Sequence, residues 1–180
     1  MNKIKLVSRF FRVLFQITFV AVPICLILYW LNAPYPLLIL GNTMAIDLIP
    51  HTMPNFPLIL HLSNQTKFLG FLVSLIPASL ILIVCYFLIK LFRLYERNEI
   101  FSLNNIFYLR KVAAVVIASE LVFLPIYQGL LSLVLTWHYP THFVVISVNF
   151  SILLLSLLLL LISWIMAEGF KLQDEQQFTI

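Results

Sequence analysis

The sequence predicts an all-α membrane protein, a four-transmembrane-helix bundle with a small extracytoplasmic β-hairpin-like cap. Two observations carry the helical part. The 180-residue chain is 62% hydrophobic and 10% charged, with a mean hydropathy of +1.05, well above the ~45–50% apolar share of a soluble domain. Four stretches, each of roughly 20 apolar residues, are long enough to cross a bilayer core as helices. A third observation orients them. Lys3, Lys5, Arg9, Arg12, Lys90, Arg93, Arg97, Arg110, Lys111 and Lys171 fall on one side of the pattern, and Lys67 alone falls on the other. Cytoplasmic flanks of spans collect Lys and Arg, so both termini and the middle loop are expected inside.

The chain reads as one membrane domain, 1–180, with spans at about 10–31, 67–90, 111–137 and 143–166. Between them lie an outer loop at 32–66, an inner loop at 91–110 and a very short outer turn, with a cytoplasmic tail at 167–180. The first span follows a basic N-terminus as a secretory signal would. Its apolar run is too long, and Leu31 and Pro34 spoil the one candidate cleavage point, so it reads as uncleaved.

Membrane helices meet through faces of small residues, because lipid is as apolar as Leu and only close backbone approach adds attraction. Thr18, Ala21 and Cys25 form such a face in the first span, and Ser74, Ala78, Ile81 and Cys85 in the second. In the fourth, Asn149, Ser156 and Ser163 recur one heptad apart. A compact bundle is expected from these stripes. Pro23, Pro77 and Pro125 each free a carbonyl one turn back, so three kinks are expected, with a cavity between the helices as the sharper consequence. Cys25 and Cys85 differ in depth and are expected to remain free.

The outer loop is too apolar to be disordered. Residues 36–49 read as two short strands about Gly41 and Asn42, which suit a tight turn. Asp47, His51, His61, His138 and His142 gather on this outer side. They are weak metal candidates only, since none of their spacings is a recognised ligand pattern. No metal and no cofactor is expected.

Glu120 most needs an explanation. It lies about nine residues into the third span, where an ionised carboxylate costs at least ~2.5–3.5 kcal/mol. A neutral, hydrogen-bonded carboxyl facing the bundle interior is expected, with Thr18, Ser79 and Ser156 on other helices and Tyr127 and Gln128 on its own as neighbours. A structural polar clamp and a proton or ligand site are both consistent with that placement.

On the inner side, Arg93 and Arg97 lie one turn apart, and Ser102 is placed to cap the helix that leads into span three. Glu168, Asp174 and Glu175 against Lys171 make the tail acidic, available to a basic partner or to the protein's own inner loop. The stretch RNEIFSLNNIFYLRK, Arg97 to Lys111, and the terminal KLQDEQQFTI, Lys171 to Ile180, together resemble a bacterial family of four-span membrane proteins, domain of unknown function 2975. Phe101, Ser102, Asn105, Leu109 and Arg110 carry the likeness before span three, and Leu172, Glu175, Thr179 and Ile180 at the end. The resemblance implies a bacterial inner-membrane protein, often encoded beside a small helix-turn-helix regulator, with no assigned activity.

An enzyme is not expected, because the chain has no Gly-rich phosphate loop, no HExxH and no nucleophile elbow. Direct nucleic-acid binding is not expected either, since the net charge of +4 belongs to a surface facing anionic lipid. Three readings remain. The first is a regulatory or sensory membrane protein acting with a cytoplasmic helix-turn-helix regulator. The second is a small transporter or proton-linked exporter using Glu120, and the third is a structural or accessory subunit.

Overall fold

The computed structural model describes residues 2–32, 63–97, 99, 102–136, 146 and 148–177. Helix α1 covers Asn2–Asn32, α2 Asn64–Glu96 and α3 Leu103–Ala118. A π-helical turn, Ser119–Phe123, joins α3 to α4, Leu124–Thr136, and α5 runs over Phe150–Gln177. Four stretches are long and apolar enough to cross a membrane: Lys3–Leu31, Asn64–Glu96, Leu103–Val134 and Phe150–Leu172. The described residues contain no strand. The expected hairpin over 36–49 lies outside the described residues and is not supported by any of them.

Local chemistry explains where the helices start. Ser63 accepts a hydrogen bond from the Thr66 N–H at 3.2 Å and opens α2. Ser102 does the same for Asn105 at 3.2 Å and opens α3. Each satisfies one amide that the first helical turn leaves without an internal partner. Because α2 reaches Glu96 and α3 starts at Leu103, the inner link is far shorter than the 91–110 read from hydropathy. Charged residues end an apolar run without ending a helix.

The three prolines behave differently. Helices α1 and α2 run unbroken through Pro23 and Pro77. Pro125 lies two residues past the π turn, and the Leu124 N–H reaches back to the Ser119 carbonyl. A proline ring collides with the carbonyl four residues before it, here that of Leu121, and widening the preceding turn relieves the collision.

The four spans pack largely in a row, with Trp30 of α1 also meeting Leu131 of α4 at one end. Helix α1 packs on α2, α2 on both α3 and α4, and α5 on α3. The stripe on α2 is the one that does most: Gly70, Ser74, Ala78 and Cys85 are all buried, although Ile81 is exposed. On α5, Ser156 and Ser163 are wholly buried. The stripe read on α1 holds in part: Thr18 and Ala21 are half-buried, whereas Cys25 is exposed and free. Ser8, Arg12 and Phe15 lie on the same face toward the N-terminus, with Phe11 and Phe15 stacked on Phe92 at 5.3 and 5.7 Å. The Leu- and Ile-rich faces that remain have no drive to close the row, because lipid satisfies them equally well.

Antiparallel pairing follows from named contacts. Arg12 meets Glu96 at one end of the α1–α2 pair and Trp30 meets Ser74 at the other. Tyr95 bonds Asn105, and Tyr127 bonds Ser74, so α3–α4 runs opposite to α2.

Candidate functional site

Asn149 is not a member of a helical stripe. It is the cap of α5, since its Oδ1 accepts the N–H groups of Ser151 and Ile152 at 3.1 and 3.2 Å. Its own backbone N–H donates to Oε2 of Glu120 at 3.2 Å. In an ordinary capping box the acid that takes this N–H comes from the same helix, three residues on. Here it comes from the π turn of a different span. Glu120 is 4% exposed, so the carboxyl sits between α3 and the start of α5.

The depth of this contact gives it meaning. Sixteen residues, about 24 Å of helix, separate Glu120 from Thr136 at the end of α4. Helix α5 therefore begins well short of the C-terminal end of α4 and packs along α3. Backbone that is not yet helical at such depth leaves N–H groups that lipid cannot satisfy, each costing several kcal/mol. Glu120 satisfies one of them and Asn149 two more. The positive end of the α5 dipole also faces the carboxylate, which favours negative charge there. Glu120 continues the buried face of α3, seven residues on from Ala113 and fourteen from Ile106.

The residues expected around Glu120 are mostly elsewhere. Thr18 bonds the Leu14 carbonyl of its own helix at 3.0 Å, and exposed Ser79 bonds Ile76 at 2.7 Å. Ser156 is buried on α5 but turns its hydroxyl to the Leu153 carbonyl at 2.7 Å. Tyr127 joins an outer cluster in which the Trp30 indole N–H donates to Ser74 at 3.2 Å, over Gly70. Leu131, Leu26 and Phe71 pack around that cluster. Gln128 makes a polar interaction of its own. Asp47, His51, His61, His138 and His142 lie outside the described residues.

The end of the molecule that carries the start of α1 and the α2–α3 link holds contacts that the sequence did not announce. Arg12 forms a 3.0 Å ion pair with Glu96, and both side chains are largely buried, at 25% and 16% exposed. Arg12 Nε and Glu96 Oε1 are buried without a hydrogen bond, so neither of those atoms adds to the pair. Asn105, wholly buried, ties the start of α3 to Tyr95 near the end of α2. Arg93 and Arg97 are exposed. Helix α5 continues through Glu168, Asp174 and Glu175, with Glu168 and Lys171 paired at 3.1 Å. The signal that could have found the Asn149 cap was Asn followed by a long apolar helix; its heptad spacing to Ser156 disguised it.

Four apolar spanning helices, with one buried carboxyl capping the fourth, define a multi-pass membrane protein. The family model described as protein of unknown function (DUF2975) matches residues 18–180, and the chain belongs to that family. No curated protein and no solved structure matches it.

Proposed function

We propose that this protein is a non-enzymatic regulatory or sensory component of the bacterial cytoplasmic membrane, with both termini cytoplasmic, that acts through α5 on a cytoplasmic partner. The observation that carries this reading is the continuity of α5. One helix runs from the Glu120–Asn149 contact to Gln177, about 42 Å, and its last residues extend past the start of α3. A packed helix has few ways to respond to a change at one end other than to move as a body. Rearrangement at Glu120 thus reaches the acidic turn of Glu168, Asp174 and Glu175. The partner suggested by family likeness is a helix-turn-helix regulator, whose basic face suits that turn. Arg93 and Arg97 offer a second contact for it on the same side.

The deciding experiment is capture of the regulator by the full-length chain and by a chain ending at Ala167, each with and without Glu120→Leu. The reading requires capture to fall on truncation and to change on substitution. Equal capture by all four proteins sinks it. Orientation is tested separately by cysteine labelling from outside: Asn55→Cys should react, and Asn98→Cys and Glu175→Cys should not.

A second reading, a small proton-linked exporter, is favoured by one observation: Glu120 is a buried carboxyl at a π turn inside a span, where such irregularities often serve function. It predicts proton-coupled efflux that Glu120→Gln abolishes while the fold survives. Unchanged efflux would remove it.

A further inference from the structure

We propose that copies of this chain associate side by side, with α5 of one copy packed antiparallel against α1 of the next. The two helices lie at opposite ends of the row, with α2 and α3 between them, and are not packed against each other within one copy. Each turns an unpartnered stripe outward. On α1 it runs Leu6, Phe10, Val13, Ile17, Val20 and Ile24, all exposed, in alternating steps of four and three residues. On α5 it runs Leu154, Leu158, Leu161 and Ile165, then Glu168 and Leu172, in the same spacing and opposite to buried Ser156 and Ser163. Such spacing lets two helices mesh along their length. Lipid alone would satisfy these stripes, so the choice of occupant rests on what lies at their inner ends.

There the charges are complementary. Exposed Lys3, Lys5 and Arg9 stand on α1, and exposed Glu168, Asp174 and Glu175 on α5, against one base, Lys171. Each set also has the wrong sign for its own helix. The first turn of α1 contains no acid, and the last turn of α5 contains no base, although a helix N-terminus favours negative and a C-terminus positive charge. Both mismatches are relieved when the basic start of α1 lies beside the acidic end of α5. An antiparallel neighbour has that geometry, and it continues the alternation of the row, up and down, across the boundary between copies. A second copy supplies both a matching helix face and a complementary run of charge. The contact is head-to-tail, so copies close into a ring or extend as a chain. It stands independently of the regulatory reading.

The test uses two differently tagged full-length copies in membranes, in a Cys25→Ala and Cys85→Ala background. One carries Ile17→Cys and the other Leu161→Cys. Cross-linking should give a mixed-tag band stronger than either like-with-like band. Glu168→Lys with Glu175→Lys should weaken that band several-fold, and adding Lys3→Glu with Lys5→Glu in the other copy should restore it, while Arg9 and Arg12 still hold the N-terminus inside. No mixed band, a dominant Ile17–Ile17 band, or a band indifferent to the charge reversal overturns the proposal. Native mass spectrometry of the unaltered protein gives a readout free of substitutions, and monomer alone at every lipid ratio overturns it too.

Discussion

The carboxylate of Glu120 takes the backbone N–H of Asn149 at 3.2 Å, so a residue in the third span fixes where the fourth helix begins. This exchange resolves the difficulty of an acid inside a span. The carboxyl is held by an amide and a helix dipole rather than by a cation.

Glu120→Gln should keep the fold, because the amide oxygen still accepts the Asn149 N–H as a carboxyl oxygen does, with a loss of at most about 1 kcal/mol. Glu120→Leu leaves that N–H unsatisfied and should cost about 1–3 kcal/mol. Thermal unfolding in detergent micelles ranks the variants. A Leu variant as stable as the parent would mean that Glu120 does not support α5.

Asn149→Ala removes the side-chain cap and should cost about 0.5–2 kcal/mol, while Asn149→Asp or Ser should cost much less. The effect should be local. Hydrogen exchange should rise over the first turn of α5, residues 150–153, and stay unchanged in α2; uniform acceleration through the protein would contradict the assignment of Asn149 as a cap.

Gly70→Ala should destabilise by about 1–3 kcal/mol through overpacking, because a Cβ there would overlap the Trp30 indole ring. Pairing it with Trp30→Leu, which vacates the space, should recover part of the loss. A double variant no better than Gly70→Ala alone would place the strain elsewhere.

Glu96→Gln leaves the Arg12 guanidinium largely buried without its counter-charge and should cost about 1–3 kcal/mol. The double variant Arg12→Gln with Glu96→Gln should be less harmful than the single, since it removes the orphaned charge as well. Unfolding midpoints for the four proteins form the cycle that checks this, and additivity would show that the two residues are not coupled.

What the sequence made legible was local. Four apolar runs, the Ser102 cap and the small face of Ser74, Ala78 and Cys85 depend on residues within one helix, and each appears where the pattern put it. What escaped it depends on register between helices. Nothing in the order of residues places Arg12 beside Glu96, or Trp30 over Gly70, until α1 and α2 have been slid against one another. Glu120 was recognisable as the residue to explain, yet its partner was not, because a backbone N–H carries no mark in the sequence and Asn149 shared its spacing with two packing serines. The choice of which helices meet has the same origin. A Leu-rich face reads identically whether it meets a helix or lipid.

That row also bears on how the chain acquires its structure. Each helix finds its main neighbour among those nearest in sequence: α2 on α1, α3 and α4 on α2, α5 on α3. Contacts between elements adjacent in the chain cost less loop-closure entropy than contacts between distant ones. Helices leaving the ribosome in order can therefore dock one at a time onto a surface already in place, and no early span waits for the last to complete its packing. Helix α5 is the exception in one respect only. Its start is set by a carboxylate delivered two elements earlier, so the final register of the C-terminal segment is decided after the rest of the membrane domain has been assembled.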